Sequence, residues 1–384
     1  MKHLHAFRLA RTVLLSAGLS CGLLCGLSAC EEKAPTASGP AVTPGAKEAP
    51  KGAPAEAPKE APKEAPKAET PGGHGGAAGT GGAKKYTFGV IAKSQGNPVF
   101  QAARVGAMDA AKELSRDGVE VVVDWRTPNN EDAQQQAQYI EQLVTSGVDG
   151  IAISVSDAKV LTGAINSAVD KGVPVVCFDS DAPESKRFAM YGMDDFESGQ
   201  KLGEQMARAL GDTGDKGVKG VVAILAGNQN ATNLQNRVRG VKDALSHYKN
   251  ITVKDTYYHV ETAPEAVAKV KQVQGANPDI TGWAMVGGWP LFSTNALDGV
   301  ADKAKVVAID IVDTELVYVK NGQVQMLVGQ NCWGWGNESV KILFDLQHNG
   351  KKPASAVIKA PVDIVTKDNV AEFEGMWKKW TSGK

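Results

Sequence analysis

The sequence contains 384 residues with a formal net charge of −1 at pH 7, which is long enough for two domains with separate cores. A nearly neutral chain carries no basic field for nucleic acid and no strong acidic field, so this composition favours a small-molecule ligand. The sequence contains no nucleophile motif, metal-ligand cluster or phosphate loop. We therefore predict neither an enzyme nor a bound metal or cofactor.

The first 29 residues have the features of a targeting signal. A basic leader precedes an apolar run from Val13 to Leu27, which is too short and too often interrupted by Gly and Ser to span a membrane. Residues 27–30 are Leu-Ser-Ala-Cys, which resembles the lipobox of bacterial lipoproteins. The resemblance implies that Cys30 is acylated and anchors the mature protein to a membrane. The alternative is an ordinary signal peptide that leaves Cys30 as an unmodified thiol.

Residues 30–85 are dominated by Ala, Pro, Lys, Glu and Gly. Prolines at this density prevent a continuous helix, and the segment has no apolar face to bury. We predict a disordered tether between Cys30 and the folded body. Of the cysteines beyond it, Cys177 and Cys332 form either one disulfide or, as we expect, two buried thiols.

From Tyr86 onward, short apolar runs alternate with amphipathic segments, which is typical of βα units and parallel sheets. Two series of such units predict two doubly wound α/β domains. A terminal helix containing Trp377 and Trp380 is expected within Lys367–Lys384, packed on the second domain. The predicted strands are Tyr86–Ala92, Val119–Val123, Gly150–Ile153, Val173–Phe178, Gly220–Leu225, Ile251–Tyr258, Trp283–Val286, Val306–Ile309 and Val324–Val328. Helices are predicted around Phe100–Leu114, Ala133–Val144, Leu161–Ala168, Gly199–Leu210, Leu234–Leu245 and Ala266–Val273.

Four segments carry a family resemblance: residues 93–100, 147–154, 172–179, and 306–310 with 328–330. In this order and spacing, the chain resembles type I periplasmic sugar-binding proteins of the ribose-binding group. The resemblance implies two doubly wound parallel-sheet domains joined by a hinge that the chain crosses three times. One lobe would comprise residues 86–193 plus 331–361, and the other residues 194–330 plus 362–384. The ligand cleft would lie between them.

Asp179 and Asp310 each end an apolar strand, where an unpaired buried carboxylate would cost several kcal/mol. We interpret both as acceptors of ligand hydroxyl groups; the alternative is that either one caps a following helix. Gln330, at a predicted hinge crossing, matches an amide that contacts ligand in the family; the alternative is a plain hydrogen bond at the hinge. Ser154, at the end of the third strand, belongs to the same predicted site.

Asn97 and Phe100 match an Asn-Pro-Phe-Phe turn of the family, in which Val99 replaces the first Phe. Lys93 stands where ribose binders have a small polar residue. A lysine in the cleft would favour a ligand with clustered oxygens or a carboxylate, whereas the alternative is a solvated strand-end lysine.

Arg237 resembles the family arginine that grips the ligand, and we favour it over Arg239. Asn233 lies one helical turn earlier and therefore on the same face, although an exposed amphipathic helix is the alternative for this segment.

Trp289 follows the predicted strand Trp283–Val286, near the point where ribose binders have an Asn-Asp pair. It would supply a stacking surface in place of the lost hydroxyl contacts. The roles of Trp125, Trp333 and Trp335 stay open.

The resemblance implies a monomeric, lipid-anchored protein on the periplasmic or cell-surface side of a bacterial membrane. It would capture a sugar or related polyol and deliver it to an ABC importer, or present it to a chemoreceptor. An alternative is binding of the furanose-like signal autoinducer-2, because Lys93 and residues 179–181 resemble that pattern. Asn233 and Leu234 replace the Asp-Gln pair of those proteins. Glycoside hydrolysis by Asp179 and Asp310 has no supporting motif.

Overall fold

The computed structural model describes residues 84–211, 217 and 219–382. The predicted signal, Cys30 and nearly all of the predicted tether lie outside the described residues. The first strand begins at Lys84, two residues before the predicted start of the folded body. Lys84 pairs with Val119, and its N–H donates to the carbonyl of Gly118 (2.8 Å).

The strands lie in two six-stranded sheets. The first contains β1 (Lys84–Ile91), β2 (Val119–Trp125), β3 (Gly150–Ile153), β4 (Val175–Phe178), β5 (Ala189–Gly192) and β11 (Val357–Lys359). The second contains β6 (Gly220–Ala226), β7 (Ile251–Tyr258), β8 (Gly282–Met285), β9 (Lys305–Ile309), β10 (Met326–Gln330) and β12 (Val362–Val365). Their spatial orders are β11-β5-β4-β3-β1-β2 and β12-β10-β9-β8-β6-β7. Strand pairs are parallel except for β10 with β12, which is antiparallel.

The helices cover both faces of these sheets, so each sheet lies in a separate α/β unit. The first lobe is defined here as the first sheet with α1 (Pro98–Leu114), α2 (Ala133–Thr145), α3 (Ala158–Asp170) and α8 (Cys332–Asn349). The second lobe is the second sheet with α4 (Asp195–Ala209), α5 (Thr232–Ser246), α6 (Ala263–Ala276) and α7 (Asp313–Lys320). Residues 289–292 and 370–373 form short 3₁₀ turns, and α9 (Met376–Ser382) is the last described helix.

The described chain passes between the sheets after β5, between β10 and α8, and between β11 and β12. The predicted fold class, two doubly wound parallel-sheet domains with a three-crossing hinge, is confirmed. The predicted strands and helices are present with small changes at their ends. The sequence did not predict β5, β11, β12, α7 or α8. Of the described residues, none lies in a helix long and apolar enough to span a membrane.

Alternate residues of a strand face opposite sides of its sheet, and both sides are apolar here. In β1, Phe88 and Val90 enter one buried cluster, whereas Ile91 enters the cluster on the other face. In β6, Leu225 and Ile224 are divided between two clusters in the same way. This burial on both faces explains why the strands appear as continuous apolar runs rather than alternating ones.

Glycines allow two helix pairs to approach closely. A Cβ atom at Gly336 of α8 would overlap the carbonyl oxygen of Ala103 in α1. In the second lobe, a Cβ atom at Gly199 of α4 would overlap the carbonyl oxygen of Arg237 in α5. Each pair therefore packs backbone against backbone, which fixes the distance between the two helices.

The end of the described chain differs from the prediction. Val370 packs in the core of the second lobe, but α9 then packs against α1 of the first lobe. Trp377 lies in the core cluster beside the first sheet, and Trp380 contacts clusters of both lobes. The predicted terminal helix is present, and it packs on both lobes rather than on the second lobe alone.

Candidate ligand-binding site

Two aspartates stand at equivalent places, one in each lobe. Asp179 follows β4 directly and Asp310 follows β9, with positive φ angles of 58° and 100°. Asp and Asn adopt this region more readily than most residues with a side chain. Each backbone N–H donates to the neighbouring strand, to Tyr191 O (3.1 Å) and to Val328 O (3.0 Å). Both carboxylates are thereby held at the carboxyl ends of parallel strands, where α/β sheets bind ligands.

The helix-cap alternative does not apply to either aspartate. The N-cap of α7 is Val312, whereas Asp310 lies before it in the chain. Asp179 is followed by β5 rather than by a helix. Neither carboxylate is therefore used as a helix cap.

Asp179 joins residues of both lobes. Ser154 Oγ of the first lobe donates to its Oδ2 (2.7 Å), and Asn233 Nδ2 of the second lobe donates to its Oδ1 (3.1 Å). Lys93 Nζ lies 3.9 Å from Oδ2 and Arg237 Nη2 lies 3.6 Å from Oδ1. Opposite charges at these distances attract strongly where water is excluded. The network thus crosses the cleft.

Arg237 is buried in α5, with 3 % of its surface exposed, so the exposed-helix alternative is wrong for this residue. Its Nε donates to Asp195 Oδ1 (2.8 Å), Nη1 to the carbonyl of Val286 (3.1 Å) and Nη2 to Gln330 Oε1 (3.1 Å). Arg239 is exposed and lies over the ring of Phe196 instead. The preference for Arg237 as the cleft arginine agrees with this placement.

Asp310 is held by two donors. Gln330 Nε2 donates to its Oδ1 (2.6 Å), and the backbone N–H of Gly288 donates to its Oδ2 (3.0 Å). Burial raises the pKa of Asp310 to about 6 despite the opposing effect of Arg237 and these hydrogen bonds. Burial likewise raises the pKa of Asp195 to about 6, although its ion pair with Arg237 opposes the change.

Lys93 is also buried, with 2 % of its surface exposed, so the solvated-lysine alternative is wrong. Its Nζ donates to Asn233 Oδ1 (3.3 Å). Burial alone would lower the pKa of Lys93, but the carboxylates of Asp179, Glu261 and Glu131 together raise it above its ordinary value. The ammonium group therefore stays charged within the cleft.

Aromatic rings form the apolar wall. Phe100 lies 5.9 Å from Trp335, centroid to centroid, and Trp335 lies 6.5 Å from Phe178. Trp335 belongs to α8, a helix that the sequence did not predict. By contrast, Trp333 Nε1 donates to Asp109 Oδ2 (3.0 Å), and Trp125 packs at the margin of the first core.

Nine of the ten predicted ligand-binding residues line one small cavity between the lobes; these are Lys93, Asn97, Phe100, Asp179, Asn233, Arg237, Trp289, Asp310 and Gln330. Ser154 lies behind Asp179 and holds its carboxylate rather than lining the cavity. The cavity has a volume of about 20 Å³. The polar side chains that line it form hydrogen bonds with one another. A ligand that enters must therefore replace these pairs with its own. The role of each residue in binding stays a prediction.

Two of these residues also have local structural tasks. Asn97 caps α1, because its Oδ1 accepts from the N–H of Val99 (3.2 Å). Trp289 lies in the 3₁₀ turn after β8, and its ring contacts His259 edge to face at 4.9 Å. Sequence reasoning missed Asp195, whose only signal was an acidic residue in the first turn of a helix, and it left Trp335 undecided.

The two described cysteines form no disulfide, and the described His, Cys, Asp and Glu side chains form no metal-binding group. Cys177 and Cys332 are free and buried, so the expectation of two buried thiols holds. Burial raises the pKa of both thiols. Across residues 84–382, apart from the undescribed gaps, no group of three or more His, Cys, Asp or Glu side chains is arranged to hold a metal ion.

Comparison with known proteins extends these observations. The family model described as "Periplasmic binding protein domain" matches residues 88–352. The D-ribose/D-allose-binding protein of Pseudomonas aeruginosa is 27 % identical over 303 residues, covering 74 % of this chain and 89 % of that protein. The ribose import binding protein RbsB of Bacillus subtilis is 24 % identical over 290 residues, covering 75 % and 89 %.

Solved structures agree with this assignment. A solute-binding protein of an ABC transporter from Burkholderia graminis, in complex with D-arabinose, is 30 % identical with a TM-score of 0.67. The match covers 75 % of this chain and 97 % of that one. A carbohydrate-transporter solute-binding protein from Agrobacterium radiobacter, also with D-arabinose, has a TM-score of 0.68 at 25 % identity, covering 75 % and 96 %.

These relatives are binding proteins of transport systems, and the prediction that the chain is not an enzyme is confirmed by them. The family match spans the strand-end aspartates of both lobes, Arg237 and Gln330. The resemblance found in the sequence is likewise confirmed at the level of the family. With its two doubly wound lobes and the polar cleft between them, the chain belongs to the periplasmic binding protein family, in its type I sugar-binding group.

Proposed function

We propose that this protein captures a sugar or related polyol between its two lobes and delivers it to an ABC importer. One observation carries the proposal: charged and amide side chains from both lobes meet beside aromatic rings in a single cavity. The relatives named above bind or import ribose, allose or arabinose, which supports the same ligand class here.

The chemistry of the cavity suits a sugar. Hydroxyl groups need both acceptors and donors, which Asp179, Asp310 and Arg237 supply as strong charge-assisted hydrogen bonds. The C–H faces of a sugar ring need flat apolar surfaces, and Phe100 and Trp335 offer them from the first lobe. A ligand held by all of these groups contacts both lobes at once.

Closure around the ligand follows from the cross-lobe position of these groups. The proposed lobes are residues 86–193 plus 331–361 and residues 194–330 plus 362–384, with hinge crossings near 194, 330–331 and 362–363. A ligand that bonds to both lobes favours the closed arrangement over the open one and so shifts the population toward it. A permease or a chemoreceptor would then recognise the closed outer surface.

The location is proposed from the sequence before the described residues. Acylation at Cys30 after removal of residues 1–29 would anchor the protein to a membrane on its periplasmic or cell-surface side. The stretch from residue 30 to the first strand would act as a tether that lets a monomeric binding body reach its partner.

Binding of autoinducer-2 is the second candidate, and the burial of Lys93 next to Asp179 favours it. The apolar side chain of Leu234 lines the cavity at a position where the signal-binding proteins have a polar residue. That difference makes a sugar the preferred ligand.

Ligand-dependent thermal melting tests the proposal. The panel contains D-ribose, D-allose, D-arabinose, D-xylose, xylitol and autoinducer-2, each at several concentrations. A ligand at a hundred times its Kd stabilises the folded state by about 2.7 kcal/mol, which is a clear shift in melting temperature. Shifts with a sugar or with xylitol support the proposal, a shift with the signal alone supports the second candidate, and no shift with any compound contradicts both.

A further inference from the structure

A second, much larger cavity opens beside the small one. It has a volume of about 890 Å³ and is lined by both lobes, through loops that include Asn129–Glu131 and Asn228–Asn230. Asn97, Glu261 and Trp289 line both cavities, so the two are adjacent. This outer cavity falls within the volume range of small-molecule sites, whereas the small one has room for about one water molecule.

Two residues that line the outer cavity each have a buried ring nitrogen without a hydrogen-bond partner among the described residues. These nitrogens are His259 Nε2 and Trp289 Nε1, on side chains that are 8 % and 5 % exposed. A buried polar atom without a partner costs free energy unless a ligand or water completes it. Both rings line the cavity and contact each other edge to face.

The hydrogen-bonding roles of these nitrogens are complementary. His259 Nδ1 lies 2.6 Å from the carbonyl oxygen of Val260, which only accepts, so Nδ1 carries the proton. Burial lowers the pKa of His259, which keeps the ring neutral and leaves Nε2 as an acceptor. Trp289 Nε1 is a donor only. A hydroxyl group both donates and accepts, so hydroxylated ligands match this pair.

The remaining walls have the same character. Glu131 of the first lobe and Glu261 of the second both contact Asn228, with Glu131 Oε1 accepting from its Nδ2 (3.1 Å) and Glu261 Oε1 from its backbone N–H (2.9 Å). Carboxylates and amides thus face the cavity from both sides, with the flat ring of Trp289 at its inner end. Carboxylates, amides and a flat ring are also the groups that line the inner cavity.

We infer that the outer cavity is a second sugar subsite, so that the preferred ligand is a disaccharide or glycoside whose first ring enters the inner site by displacing the polar pairs that close it. The inference rests on the proposed function. The ring of Trp289, which borders both cavities, lies at the junction of the two units. The unpartnered nitrogens of His259 and Trp289 are themselves buried, so the two rings must rotate slightly to bind a hydroxyl group of the second unit.

Isothermal titration of the full chain tests the inference with matched pairs: D-xylose against xylobiose, D-glucose against cellobiose and maltose, and L-arabinose against arabinobiose. At least one disaccharide is expected to bind about tenfold or more tightly than its own monosaccharide, as a few additional hydrogen bonds would provide. In His259→Phe, which keeps the edge contact with Trp289 but removes both nitrogens, this preference is expected to fall several-fold.

His247→Phe is the matched control, because His247 is exposed and does not line either cavity. The preference is expected to persist in it, and circular dichroism of both variants checks their folding. Monosaccharides that bind as tightly as the disaccharides, or a preference unchanged in His259→Phe, overturn the inference while leaving the proposed function intact. Failure of every sugar to bind overturns both.

Discussion

At the scale of single residues, the proposed binding of a sugar depends on the two strand-end aspartates. Their left-handed backbone makes alanine a poor test substitution, since it would add strain to the loss of the carboxylate. Asn tolerates the same φ region and keeps the side-chain shape, so it isolates the charge.

We predict that Asp179→Asn and Asp310→Asn each weaken sugar binding by about ten- to a hundredfold, because hydrogen bonds to a charged group contribute about 1.5–3 kcal/mol. Both carboxylate oxygens of Asp310 accept hydrogen bonds, so the amide nitrogen in Asp310→Asn would replace one acceptor with a donor. Titration calorimetry with a sugar that shifts melting gives the affinities, and circular dichroism checks folding. Unchanged affinity in both variants would contradict the proposed roles.

The buried Asp310 also predicts a pH dependence of stability. Its pKa rises from an ordinary value of 3.8 to about 6 in the folded protein. Between these values the folded state binds more protons than the unfolded state, so the free energy of unfolding increases as pH falls from about 6 to about 4. Asp195 acts in the same direction, whereas His259, with its lowered pKa, acts in the opposite one.

Comparison with Asp310→Asn isolates this contribution. Urea unfolding of both proteins from pH 7 to pH 4.5 measures the difference in unfolding free energy. The free energy of unfolding of the wild type is expected to increase relative to that of the variant as pH falls from about 6 toward the ordinary Asp pKa of 3.8. A difference that stays constant, or that moves the other way, would show that the carboxylate is not destabilised by burial.

How far the site could be predicted also depends on individual residues. Asp179 and Asp310 were recognisable from the sequence because each follows a buried strand directly, and a carboxylate in that position lies at the end of the sheet. Asp195 was not, because an acidic residue in the first turn of a helix is usually a dipole or cap feature. Its ion pair with Arg237 depends on how closely α4 approaches α5, which no local pattern encodes.

At the scale of elements, the close approach of α4 and α5 positions Arg237. We predict that Gly199→Ala lowers the free energy of unfolding by about 1–3 kcal/mol, because the added methyl group would overlap backbone atoms of α5. Sugar affinity is also expected to fall, since the helices must separate and displace the guanidinium group. Chemical unfolding and calorimetry measure the two effects.

Gly163→Ala in α3 is the matched control. A Cβ atom there meets nothing within 4 Å, so the substitution is expected to leave binding unchanged. Helix propensity predicts a gain in stability of up to about 1 kcal/mol. If both glycine variants behaved alike, the packing argument for Gly199 would be wrong.

Long strands and helices with a clear sequence pattern were predictable from the sequence. Elements that depend on tertiary packing were not. Strands such as Ile251–Tyr258 appeared at their predicted positions. Short strands such as Val357–Lys359 are mostly exposed and carry too little periodicity. The start of α8 contains Gly334 and Gly336, which disfavour a helix locally, yet Gly336 is needed for contact with α1. Tertiary packing thus overrode the local signal.

At the scale of the whole molecule, the lobes are joined by polar pairs that a ligand can replace. Asn233 donates to Asp179 across the cleft, and Asn228 Nδ2 reaches the carbonyl of Ser156 (3.3 Å). The family resemblance predicted the two α/β lobes and the three chain crossings, whereas the exact lobe boundaries stay a prediction. The sequence could not place α9, whose Trp380 contacts both lobes.

Small-angle X-ray scattering tests most directly whether a sugar is held between the lobes. The protein is measured without ligand and with saturating sugar, in parallel with the double variant Asp179→Asn, Asp310→Asn. We expect a smaller radius of gyration for the wild type with sugar and no change for the double variant at the same concentration. A wild-type profile that stays the same when calorimetry reports saturation would contradict capture by lobe closure.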